Sequence, residues 1–174
     1  MDHADHLRLL AAGVPARGGA WADLGAGSGA FTRALAELIG PGGVIHAVDR
    51  DRSALRELER RTRAEGARVV ARVGDFTAPL ELPTLDGVVM ANSLHFVRDN
   101  AAVLTAVREA LAAGGRLLVV EYDTDRGNAP VPYPLSYVTW ERLARAAGFA
   151  GTRLLATVPS RFLGRIYSAE SVAP

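Results

Sequence analysis

No cysteine occurs in this chain of 174 residues. Disulfides, thiolate zinc sites and cysteine nucleophiles are therefore excluded together. Lysine is missing too, so all 20 cationic side chains are arginine. Without a lysine amine, neither Schiff-base chemistry nor a P-loop is available. No apolar run approaches the roughly 18–20 residues that cross a membrane. The N-terminal Met1-Asp2-His3-Ala4-Asp5-His6 carries acids where a secretory signal carries a basic region. A cytoplasmic location without a membrane partner is expected. The formal net charge is only +1, so no global basic field points to nucleic acid. There are no internal repeats and no obvious linker.

Apolar residues make up 49% of the chain, enough to bury a core without staples. Its length suits a single domain, residues 1–174. Short apolar runs alternate with helical patterns, the mark of an α/β fold with a mostly parallel, doubly wound sheet. Strands are expected at Ala20–Leu24, Val44–Val48, Val69–Val73, Gly87–Ala91 and Leu117–Glu121. Helices are expected at Ala30–Ile39, Ser53–Glu65, Ala101–Ala112 and Tyr137–Ala147, the third ended by Gly114-Gly115 and the last bounded by Ser136 and Gly148. Arg153–Val158 and Phe162–Tyr167 are separated only by Pro159-Ser160-Arg161. That gap is too short for a crossover helix, so the two strands should pair as an antiparallel hairpin and complete a seven-stranded sheet. Residues 1–18 read as a short N-terminal helical segment with Leu7, Leu9 and Leu10, and residues 122–135 as a long Pro- and Gly-rich loop.

Four motifs carry chemistry. In Asp23-Leu24-Gly25-Ala26-Gly27-Ser28-Gly29-Ala30, three glycines at alternate positions follow a strand and open a helix. Such a loop tolerates positive φ and lets a ligand approach the backbone. It also satisfies G-x-G-x-x-A, so a dinucleotide stays open at this point. Asp49 ends the second strand, 20 residues after Gly29, where an acid can accept from both ribose hydroxyls of a nucleoside cofactor. Arg50, which follows it, joins the cofactor-binding candidates. Gly74-Asp75-Phe76 ends the third strand, offering a carboxylate to an adenine amino group and a ring to the adenine face. Asp86 to Phe96 ends a central strand in the polar cluster Asn92-Ser93-Leu94-His95, on the side where open α/β sheets bind ligands.

In this order the four motifs resemble the class I S-adenosylmethionine-dependent methyltransferase family, over nearly the whole chain and including the terminal hairpin. The resemblance implies that fold and S-adenosylmethionine as cofactor, S-adenosylhomocysteine being the product. It implies that Asp23 helps bind the methionine ammonium, that Gly25, Gly27 and Gly29 line the cofactor, that Asp49 holds the ribose and that Asp75 with Phe76 frames the adenine. Asn92 and Ser93 join the cofactor-binding set, Asn92 beside the methionine part, with Ser93 to Phe96 facing the transferred methyl. Many relatives carry a larger N-terminal lid; here that role is expected to fall partly on the 122–135 loop.

His95 is the candidate general base, since imidazole titrates near neutrality. Tyr133, in Val131-Pro132-Tyr133-Pro134-Leu135, is the candidate acceptor-side residue. A small or medium organic acceptor is expected. The rivals are a nicotinamide-dependent oxidoreductase and a non-catalytic S-adenosylmethionine-binding protein. His3 and His6, with Asp2 and Asp5, lack further ligands, so no metal is expected. Glu57 and Glu59 stand four residues before Arg61 and Arg63, the favoured pairing of a solvated helix face. Trp140, at helical spacing with Tyr137, Leu143 and Ala144, is expected in the core.

Overall fold

In the computed structural model, which describes residues 1–15, 17–62 and 66–174, β1 is Gly19–Leu24, β2 Gly43–Asp49, β3 Arg68–Val73, β4 Leu85–Ala91, β5 Leu111–Tyr122, β6 Gly151–Ser160 and β7 Gly164–Val172. They form one sheet in the order β3-β2-β1-β4-β5-β7-β6. The first five are mutually parallel; β7 runs antiparallel to both β5 and β6. The helices are α1 (His3–Leu10), α2 (Ala30–Ile39), α3 (Arg52–Thr62), α4 (Ala101–Ala110) and α5 (Tyr137–Ala146). Arg63 and Glu65, expected in the second helix and, for Arg63, in a pair with Glu59, lie outside the described residues. Among the described residues no helix is long and apolar enough to cross a membrane.

Two apolar layers hold the sheet. On one face Leu9 and Leu10 of α1 and Phe31, Leu35 and Ile39 of α2 pack on Trp21, Ile45 and Val89. On the other, Val103, Leu104 and Val107 of α4 and Trp140 and Ala144 of α5 pack on Val88, Met90 and Val119. β4 and β5 sit between these layers, and Val88, Val89, Met90 and Leu117 to Val120 are completely buried. That explains their unbroken apolar runs, because a strand covered on both faces has no side to leave polar.

Three expectations on element bounds change. The helix expected at Ala101–Ala112 stops at Ala110, since Leu111 pairs with Leu85 and already belongs to β5. Gly114-Gly115 therefore lie within β5, and both bond to Ala173. The hairpin turn is 161–163 rather than Pro159-Ser160-Arg161. Pro159 and Ser160 belong to β6, paired with Arg165 and Gly164, and Phe162 is a turn residue, half-exposed. β7 then runs to Val172 through Ser168, Glu170 and Ser171, polar residues that are nonetheless buried. Glu170 is satisfied there by Arg116 at 2.5 Å and Arg153 at 3.0 Å, one from each neighbouring strand.

Strand order decides where a ligand can sit. The chain steps outward from β1 to β2 and β3, then returns to β4 on the other side of β1. The crevice at the carboxyl ends of β1 and β4 is the switch point of the sheet.

Candidate functional site

The loop after β1 is built from three glycines with positive φ: Gly25 (83°), Gly27 (53°) and Gly29 (86°). They serve different ends. A Cβ on Gly25 would stand 2.5 Å from Ser93 Cβ, and one on Gly29 would stand 2.7 Å from Leu58 Cγ. A Cβ on Gly27 would meet nothing within 4 Å. Gly25 and Gly29 let the loop pack; Gly27 faces open space.

Asp49 fastens this loop. Its Oδ2 accepts from the Gly27 N–H at 2.8 Å and its Oδ1 from the Asp51 N–H at 2.8 Å. Three other loop amides are also engaged. Gly25 and Ala26 donate to Val48 C=O at 2.9 and 3.1 Å, and Gly29 donates to Ala26 C=O at 3.0 Å. Each Asp49 oxygen keeps a lone pair for a ligand hydroxyl.

Asp23 lies under the loop, 1% exposed, with Oδ2 accepting from the Thr32 hydroxyl at 2.6 Å. Burial pushes its carboxyl up to about 6; the Thr32 hydrogen bond opposes that shift, and the nearby Asp49 charge adds to it. A buried acid of this kind is costly to ionise alone and welcomes a cation.

Asn92, following β4, is the one non-glycine with positive φ among the described residues (52°), and its buried Oδ1 has no partner there. Strain and an orphaned acceptor at one residue of a cleft mark a place where a ligand donor fits. Ser93 is buried and spends its hydroxyl on Leu24 C=O at 2.9 Å. Asp75 caps its own turn, accepting from the Thr77 hydroxyl at 2.7 Å and N–H at 2.9 Å, which hold its carboxyl below the usual range. Its second oxygen is left to the cleft. Phe76 lies against the loop, its Cε1 3.4 Å from where a Gly25 Cβ would be.

These residues line two clefts that share Gly25 and Asn92. One, of about 500 Å³, runs past Asp49, Arg50, Asp75, Phe76 and Ser93 to Phe96, Val97 and Arg98. The other, of about 400 Å³, lies over Asp23, Gly27 and Ser28 and is also lined by Met1, His6 and Phe31. The His6 ring stands 4.6 Å from Phe31. Thr77, Val97, Arg98 and His6 were not among the expected residues. Val97 and Arg98 continue the expected polar cluster by two positions, whereas His6 reaches the site only because α1 packs on α2.

His95 and Tyr133 line neither cleft. His95 is buried beneath it, Nδ1 2.8 Å from Glu121 Oε2, with its own N–H donating to Glu121 Oε1 at 3.2 Å. Glu121, fully buried on β5, has no signal in the sequence beyond ending an apolar strand. Tyr133 is half-exposed and joins His95 through its backbone, N–H to C=O at 3.0 Å. Val131 and Leu135 on either side turn into the core. The 122–135 segment is tied down: Asp123 accepts from the Tyr137 N–H at 2.9 Å and pairs with Arg165, and Asp125 accepts from the Ser136 hydroxyl at 2.8 Å.

Residues 22–117 match the family described as methyltransferase domain. The ubiquinone/menaquinone biosynthesis C-methyltransferase of Pasteurella multocida is 35% identical over 121 residues, 67% of this chain and 42% of that protein. A ribosomal RNA small subunit methyltransferase of Syntrophotalea carbinolica is 34% identical over 82 residues, 44% of this chain and 26% of that one. The chain thus spans less than half the length of these curated relatives. Among solved structures, a phosphoethanolamine N-methyltransferase of Haemonchus contortus, in complex with phosphomonomethylethanolamine and S-adenosylhomocysteine, superposes with a TM-score of 0.79 at 19% identity. That match covers 98% of this chain and 52% of that one.

Proposed function

This chain belongs to the methyltransferase-domain family, and from that premise we propose that it binds S-adenosylmethionine in the paired clefts and methylates a small or medium organic acceptor. Buried Asp23 carries the reading. Beneath a loop whose amides are largely committed within the protein, an acid suits the methionine ammonium and opposes a pyrophosphate, which needs free amides and no nearby carboxylate. That favours a sulfonium nucleoside over a nicotinamide dinucleotide. Asp49 then receives the ribose hydroxyls, Asp75 and Phe76 frame the adenine, and Arg50, Asn92 and Ser93 complete the binding set with Gly25, Gly27 and Gly29.

When bound, the cofactor supplies an electrophilic methyl whose S–C bond breaks as the bond to the acceptor forms, leaving a neutral thioether. The protein's part is to align the acceptor and exclude water. His95, the expected base, lies buried outside both clefts with Nδ1 paired to Glu121. Its part is to hold Phe96 at the cleft wall, and a proton on the acceptor atom leaves to water. A near-neutral net charge supports a small acceptor over RNA, since phosphate contacts supply most nucleic-acid affinity.

Calorimetry with S-adenosylmethionine against NADH tests the cofactor: binding of the first and not the second is expected. A panel of small acceptors set against RNA and protein, read by S-adenosylhomocysteine release, tests the rest. Binding without any turnover would make the protein a non-catalytic binder. Asp49→Ala should weaken the cofactor by about 1.5–3 kcal/mol, roughly 10- to 150-fold, because it removes charge-assisted hydrogen bonds and the latch on Gly27 together. Unchanged affinity would remove Asp49 from the site. Tyr133 lines neither cleft and meets His95 through its backbone N–H. Tyr133→Ala should therefore leave cofactor affinity unmoved and change kcat/KM for the acceptor by less than about threefold; a larger loss would bring the acceptor to its ring.

A further inference from the structure

Resting on that reading, we infer that the acceptor is a planar aromatic or conjugated ring seated on a row of aromatic side chains that leaves the cofactor cleft. The chain holds only two Trp, four Tyr and five Phe, yet rings from three distant segments meet here. Phe96, which walls the larger cleft, stands 4.3 Å from the His95 ring. His95 is 6.1 Å from Tyr122 at the end of β5, and Tyr122 is 5.8 Å from Phe162 in the β6–β7 turn. Successive planes are tilted by 53°, 50° and 62°, so the row offers both faces and edges.

Phe96 (56%) and Phe162 (51%) are among the few large apolar side chains left exposed. Nothing in the fold needs them there. Phe162 sits in a three-residue turn that a polar residue would serve equally well. His95 is buried beneath the row and Tyr122 is partly exposed, so the surface a ligand meets is Phe96 at the cleft wall, the Tyr122 edge and Phe162. Exposed aromatic side chains beside a ligand cleft make a binding surface. A saturated ligand would gain only from its buried area. An aromatic one gains a further two- to twelve-fold or so for each well-placed ring pair, and this row supplies several.

The test uses the whole chain saturated with S-adenosylhomocysteine, titrated with 2-naphthol and with decahydro-2-naphthol of the same skeleton. Calorimetry gives affinities and ring-proton NMR gives the site. Expected are at least about tenfold tighter binding of 2-naphthol, shifts at Phe96, Tyr122 and Phe162, and a several-fold loss in Phe162→Leu, which keeps apolar area but not the ring. Phe162→Ser should lose more, with a native circular dichroism spectrum. Equal affinity for the two ligands, absence of 2-naphthol binding, or indifference to both variants overturns the inference. If Phe162→Ser instead changes the mass in solution with 2-naphthol affinity unmoved, the row is a contact between copies and the inference also falls. Failure of S-adenosylhomocysteine to bind at the outset would strike the proposed function itself.

Discussion

Gly27→Val is expected to abolish S-adenosylmethionine binding, a loss of at least about 100-fold or roughly 2.7 kcal/mol, in a protein that still folds. The space facing Gly27 is empty of protein: a Cβ there meets nothing within 4 Å. A Cβ at this position therefore clashes with no neighbour, and the branched side chain beyond it enters the volume above Asp23 that the methionine part would occupy. One folding cost remains. At φ 53° valine is strained by roughly 1–2 kcal/mol, a loss a domain of this size tolerates. Gly27→Asn, which accepts left-handed φ readily, separates strain from occlusion, because it too should block the ligand while unfolding at nearly the wild-type temperature. Gly29→Val gives the contrast: its Cβ would press on Leu58 at 2.7 Å, so stability should fall as well. Calorimetry beside circular dichroism reads all three. Retained affinity in Gly27→Val would make this loop an ordinary turn.

Most of the sheet was legible because its signals are local. The run Val88-Val89-Met90-Ala91 between polar ends is a buried strand by any reading. The glycine loop and Asp49 are separated by a fixed strand–helix–strand unit, so their spacing in sequence becomes proximity in space. The errors arose where a local pattern had two meanings. Leu111 continues the Leu104, Val107 helical stripe, and the pattern alone cannot know that Leu85 waits to pair with it. The last strand is expected to end at Tyr167, before the polar Ser168, Glu170 and Ser171, which β7 includes. Glu170 and Ser171 are buried because Arg116 and Arg153 on adjacent strands neutralise the first and Thr152 bonds the second at 2.8 Å; the buried Ser168 hydroxyl has no partner among the described residues.

The site divides in the same way. Residues at strand ends were visible from motif spacing. Glu121, which holds His95, was not. Its importance depends on β5 lying beside β4, with Glu121 one position beyond Val120, the residue paired with Ala91. No pattern within a single segment encodes that. The aromatic row is hidden for the same reason, since its rings come from positions 96, 122 and 162.

Asp23→Asn should have opposite effects on the empty protein and on its complex. In the folded protein the Asp23 carboxyl is pushed up to about 6 from 3.8, chiefly by burial. The native state therefore holds this proton more tightly than the unfolded chain. The associated stability is fully present below pH 3.8 and is lost as pH rises through about 6. Above that the buried charge costs about 3 kcal/mol, at 1.36 kcal/mol for each unit of difference. Asparagine has no charge to bury and can still accept from Thr32. Without ligand, Asp23→Asn should thus be more stable than wild type at pH 7.5 by up to about 3 kcal/mol, and the gain should vanish near pH 4. Other acids, such as Asp51 and Asp75, are shifted the opposite way, so the difference between variant and wild type isolates this one group. With ligand the order reverses. The methionine ammonium would meet an amide in place of a carboxylate, and removing one partner of a buried charge pair costs roughly 3–5 kcal/mol. Wild-type affinity should fall about tenfold per unit as pH drops below 6, because the cation binds the ionised form and a proton is released. The variant's affinity should be weak and flat over that range. Thermal melts from pH 4 to 8, with and without S-adenosylmethionine, show both arms in one experiment. Parallel pH profiles for the two proteins in the presence of cofactor would mean that Asp23 does not face the ammonium.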